Sequence, residues 1–71
     1  MTTMYFPSVD DLVERVRGEY IEMPGLTLTL AQAHRHWAID EATCGQVLQR
    51  LADMNFLARN SNGKYTRLSA R

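Results

Sequence analysis

Three groups of side chains in this 71-residue chain have types and spacing that suit them to chemistry. The first is a polar run, Glu41, Thr43, Gln46, Gln49 and Arg50, with the small residues Ala42 and Gly45 among it. Gln46 and Gln49 lie three apart, so on a helix they share one face and present two amides side by side. The second is basic: Arg59, Lys64, Arg67 and Arg71 fall in residues 54–71, a stretch without a single acid. Such a cluster is a candidate phosphate-facing surface. The third is His34, His36 and Cys44, which invites a metal or a thiol nucleophile. Geometry sets that reading aside, because helical residues two apart project about 200° apart and cannot share one ion. Cys44 also belongs to an apolar stripe, where a thiol behaves as a small, inert hydrophobe. No metal is expected.

The remaining chemistry is sparse. Four glycines are scattered at Gly18, Gly25, Gly45 and Gly63, so no phosphate-cradling loop is present. A chain this short leaves little room for a substrate cleft, and neither catalysis nor a cofactor is expected. Net charge is zero but unevenly spread: residues 1–26 carry −3, the middle −1, and residues 54–71 +4. No apolar run approaches the roughly 20 residues of a membrane span. The start, Met1 to Pro7, lacks the basic and apolar regions of a signal peptide. One cysteine cannot form an internal disulfide, which fits a reducing cytoplasm.

The elements that would position these groups can be read from caps and periodicity. Ser8 is an N-cap candidate, with Asp10 and Asp11 in the first turn where the helix dipole favours acids. Val9, Leu12, Val13, Val16 and Tyr20 recur at helical spacing behind it, and Met23-Pro24-Gly25 stops the helix. Leu26-Thr27-Leu28 alternates and suits an edge strand beside a hairpin. Thr29 to Gln32 fits a capping box, opening a second helix with Leu30, Ala33 and Trp37 on its buried side. Asp40 caps a third helix over about 41–54, whose apolar stripe is Cys44, Val47, Leu48, Leu51 and Met54. Asn55 sits where a left-handed residue is needed to end it. Two strands, 56–59 and 64–68, flank Asn60-Ser61-Asn62-Gly63, which holds an Asn-Gly hairpin signal. Trp37 and Tyr65 are expected in the core, while Tyr5 and Phe6 either cover it or form an apolar patch.

The order α-β-α-α-β-β, with a turn at Trp37-Ala38-Ile39-Asp40, resembles the winged helix-turn-helix domains of bacterial regulators of the MarR and IclR kind. The likeness rests on Ala33, Trp37, Ile39, Cys44, Leu48 and Leu51, then Asn55-Phe56-Leu57 and the wing Asn62-Gly63-Lys64-Tyr65. Met23-Pro24-Gly25-Leu26 and Gly63-Lys64-Tyr65-Thr66-Arg67 are also similar to short stand-alone bacterial proteins of this type. It departs at His34, where a small residue is common, and at Ala38, where glycine often supplies the turn. The resemblance implies an α+β fold forming one domain over 1–71, with residues 1–7 as an extension and 69–71 as a tail.

By that resemblance the third helix is a recognition helix that enters the major groove of double-stranded DNA. The implied contacts are Arg35, Glu41, Ala42, Thr43, Gln46, Gln49 and Arg50, with Arg59, Lys64 and Arg67 on flanking backbone. Gln can pair with adenine through two hydrogen bonds, Thr can bond base or phosphate, and Glu can accept from cytosine. The expected function is a small cytoplasmic transcriptional regulator, with a homodimer or larger complex needed for tight binding. The alternative is a winged-helix protein-interaction module, favoured by zero net charge and by Asp40 and Glu41 on the groove-facing end.

Overall fold

The computed structural model describes residues 8–68. Tyr5, Phe6, Arg71 and the extension and tail expected at the two ends lie outside them. The order is α1 (Val9–Glu22), β1 (Thr27–Thr29), α2 (Leu30–His36), α3 (Glu41–Asp53), β2 (Leu57–Arg59) and β3 (Lys64–Arg67). Three helices pack around a core that one face of a small antiparallel sheet closes, giving an α+β fold.

Each helix starts where a side chain satisfies its first free amides. Ser8 accepts from the Asp11 amide, and Asp11 accepts in return from the Ser8 amide. Thr29 and Gln32 make the same reciprocal pair at α2, and Asp40 accepts from the Thr43 amide at α3. Two of the ends are equally specific. Ala38 at φ 55° lets the Ile39 amide reach the His34 carbonyl, while the Ala38 amide donates to Arg35. Asn55 at φ 62° does the same for α3, with Phe56 donating to Leu51 and Asn55 to Ala52. Both are Schellman endings, and each reverses the chain within two residues.

The middle strand of the sheet is β3, in the order β1-β3-β2. β1 is thus an edge strand, pairing Leu28 with Tyr65, and its last residue, Thr29, doubles as the cap of α2. The β2–β3 hairpin closes through Asn60, whose carbonyl accepts from the Gly63 amide and whose side-chain oxygen accepts from the Asn62 and Lys64 amides. Among the described residues Gly63, at φ 77°, is the one glycine that needs its conformational freedom. Gly25 has no positive φ; the turn from Met23 to Leu26 is set by Pro24 instead.

Cys44, Val47, Leu48 and Leu51 on α3 meet Val16 and Tyr20 of α1, Ala33 of α2 and Leu57 of β2 in the core, all essentially inaccessible to water. Burying a side chain such as Leu48 contributes about 1.5–3 kcal/mol. Three expected core positions sit further out. Met54 is 52% exposed because α3 has already ended at Asp53, and Val9 and Leu30 are half-buried at the margin. Trp37 anchors the junction of α2 and α3, its ring 6.0 Å from that of Tyr20. Its indole N–H is buried without a hydrogen-bond partner. Tyr20 ties α1 to the sheet: its hydroxyl donates to the Tyr65 carbonyl at 2.9 Å.

Three measurements of stability follow from these contacts. Gly18 lies mid-helix with nothing within 4 Å of where a Cβ would stand, so Gly18→Ala should stabilise the fold by about 1 kcal/mol in urea unfolding. Ala38 adopts a conformation that costs a non-glycine residue about 1–2 kcal/mol. Ala38→Val should therefore lower the melting temperature and Ala38→Gly should not. Burial, with smaller contributions from Cys44 and Tyr65, pushes the Tyr20 hydroxyl up from its ordinary 10.0 to about 12. The folded state holds that proton more tightly than the unfolded chain does. Stability from Tyr20 is then complete below pH 10 and is lost as pH rises toward 12, by up to about 3 kcal/mol. Denaturant titrations should show that fall in the parent chain and a shallower one in Tyr20→Phe.

Candidate nucleic-acid interface

The outer side of α3 is defined by what its inner side buries. With Cys44, Val47, Leu48 and Leu51 committed to the core, helical geometry leaves Ala42, Gln46, Gln49 and Asp53 pointing directly away. Ala42, Gln46 and Gln49 are exposed, Gly45 is half-buried, and Thr43 is partly covered at the flank. Ala42, Gly45, Gln46 and Gln49, together with Val9, Arg50 and Asp53, line an open groove of about 540 Å³ running along the helix. Its floor is small side chains: Gly45 carries none, and the nearest atom to a Cβ there would be Leu30 Cδ2 at 3.7 Å.

Hydrogen bonding has already occupied part of this face. Gln49 Nε2 donates to Asp53 Oδ1 at 2.9 Å, the i,i+4 pairing its spacing permits. Arg50 Nη1 donates to Asp10 Oδ1 at 2.8 Å, joining α3 to the first turn of α1 across 40 residues of sequence. Gln46 is exposed and keeps a whole amide for an incoming partner. At the start of α3, Glu41 is exposed and Asp40 is engaged as the cap. Hydrogen bonds from Thr43 hold the Asp40 carboxyl below its usual range, so it stays ionised. Its charge lies where the helix dipole is positive, which offsets part of its field.

The basic side chains expected on the hairpin are distributed rather than gathered. Arg59 pairs across the strands with Tyr65 and so shares the core-side face, while Lys64 takes the opposite one. Arg59 and Lys64 therefore straddle the hairpin end, the first exposed and the second half-buried. Arg67 lies at the far end of β3, its guanidinium 5.2 Å from the centre of the Phe56 ring. Arg17 of α1 stands 5.5 Å from the same ring. Arg35 is exposed on the last turn of α2.

Sequence reasoning placed Asp10 only as a helix-dipole acid, Val9 only in the apolar stripe of the first helix, and Asp53 and Arg17 only in the charge balance. The Gln49–Asp53 spacing was legible; a salt bridge spanning 40 residues has no local signal. Burial pushes the Cys44 thiol up, with the Asp40 charge adding to the shift, which leaves it a packing group. Among the described residues no three His, Cys, Asp or Glu side chains come together as a metal site, and no helix is long and apolar enough to cross a membrane. No family model, no curated protein and no solved structure matches the chain.

Proposed function

We propose that this chain is a winged-helix DNA-binding module, a small transcriptional regulator that sets the outer face of α3 in the major groove and its β2–β3 hairpin on flanking backbone. The observation that carries the reading is the face of α3 itself. Ala42 and Gly45 leave a groove floor of small residues beside Gln46 and Gln49, so base edges can approach the two amides. Arg59 and Lys64, on opposite sides of the hairpin end, can each meet a phosphate. The element order and the sheet order β1-β3-β2 are those expected of a winged helix.

A second reading, a protein-interaction module, draws on a specific observation. Arg50 is the one cation on α3, and it is already paired with Asp10, while Asp53 lines the groove and Glu41 stands exposed in the first turn of the same helix. Few phosphates would be neutralised by a single copy, so affinity for random duplex should be weak and its salt slope shallow, about 0.9 per phosphate contacted.

Two pairs of substitutions separate the roles. Arg59→Ala with Lys64→Ala should weaken binding to duplex of any sequence and lower the salt slope by about one per lost contact. Gln46→Ala with Gln49→Ala should leave binding to random duplex nearly unchanged, while costing about 1–3 kcal/mol per lost base contact at a selected site. Unchanged affinity of the Arg59/Lys64 variant at a demonstrated site removes the hairpin from the interface. An absence of any duplex binding at low salt favours the protein partner.

A further inference from the structure

The outer side of α3 offers anions a single positive group, Arg50, and that group is not free. Its partner, Asp10, arrives from α1, in the first turn fixed by the Ser8 cap, and Arg50 sits on the flank of α3 that faces α1. Both side chains remain in water, Arg50 49% and Asp10 78% exposed, so the pair is a contact a competing anion can reach.

We propose that Asp10 is a specificity-determining residue: its carboxylate competes with nucleic-acid phosphate for Arg50 and suppresses sequence-blind binding. The inference rests on the DNA reading above and extends it to how that site discriminates. A guanidinium has donors enough for two anions, but a phosphate brought to Arg50 is repelled by the carboxylate already there. Backbone attraction alone is therefore weakened at α3, where it depends on that cation, and is left to the hairpin residues Arg59 and Lys64. Binding in which Gln46 and Gln49 also reach base edges keeps a larger share of its contacts. The competition is mild, since an exposed ion pair is weak and yields to a partner with more to offer.

The experiment compares the full chain with Asp10→Asn, Glu22→Gln, Arg50→Gln and the Asp10→Asn/Arg50→Gln double variant. Each is titrated against a labelled random-sequence duplex at low and moderate salt, and eluted from immobilised heparin as a polyanion without bases. Glu22→Gln is the charge control: it removes the same charge about 18 Å further along α1. Asp10→Asn should tighten random-duplex binding by about three- to tenfold at low salt and steepen the salt slope by about 0.9, one phosphate contact. It should also elute later from heparin. Glu22→Gln should change binding less than twofold, and the double variant should match Arg50→Gln alone.

Asp10→Asn behaving like Glu22→Gln in both assays overturns the inference, as does weaker binding than the parent chain, which would make Asp10 a support for Arg50. A heparin shift confined to Asp10→Asn, with no duplex bound by any variant, supports the competition for Arg50 and removes the DNA reading.

Discussion

Four side chains on one side of α3, Cys44, Val47, Leu48 and Leu51, have no access to water, and the rest of the molecule is arranged around that stripe. α1, α2 and β2 all pack against α3, so this helix cannot roll without opening the core on several sides. Fixing the inner face fixes the outer one. Gln46 and Gln49 are held outward because residues one and two positions away are held inward. The Schellman endings at Ala38 and Asn55 serve the same constraint, since they bring α2 and β2 back onto α3 within a few residues. A left-handed alanine is an uncommon solution, and its tolerance shows how strongly the surrounding packing determines that turn.

Formal charge suggests a surface hostile to phosphate, yet the local chemistry is milder than the count. Asp40 spends its lone pairs on the start of α3, where the helix dipole opposes its charge. Asp53 accepts from Gln49, and Asp10 from Arg50. What remains is a shallow face of small residues and amides, with the exposed carboxylates of Glu41 and Asp53 still charged on the same helix. Such a face, in the proposal advanced here, reads shape and base edges more than it gathers phosphates. The positive charge would come from the hairpin and, in a tight complex, from a second copy or a larger assembly.

Local chemistry was legible in the sequence and long-range pairing was not. Ser8, Thr29 and Asp40 declared the helix starts because each needs only three residues to close its bond. Asn55 and the Asn60-to-Gly63 segment marked chain reversals for a similar reason. The apolar stripes gave the core apart from Val9 and Leu30, which sit at its margin, and Met54, which periodicity assigned inward but which lies just past the end of α3. The candidate site was less readable. Basic residues that look like a cluster along the chain separate once strand alternation is applied, Lys64 to one face and Arg59 and Arg67 to the other. Arg67 and Arg17 meeting over Phe56, and Arg50 meeting Asp10, depend on how α1 crosses the fold.

The most direct test is a nitrogen-15 amide NMR titration of the full chain with a short random-sequence duplex at low salt. Perturbations should concentrate on Ala42 to Arg50 of α3 and on Arg59 to Lys64 of the hairpin, and fade as salt is raised. The Ile21 end of α1 should stay still. Shifts confined to α1, or a spectrum unmoved at high duplex concentration, would contradict the assignment of α3 and the hairpin as a nucleic-acid interface.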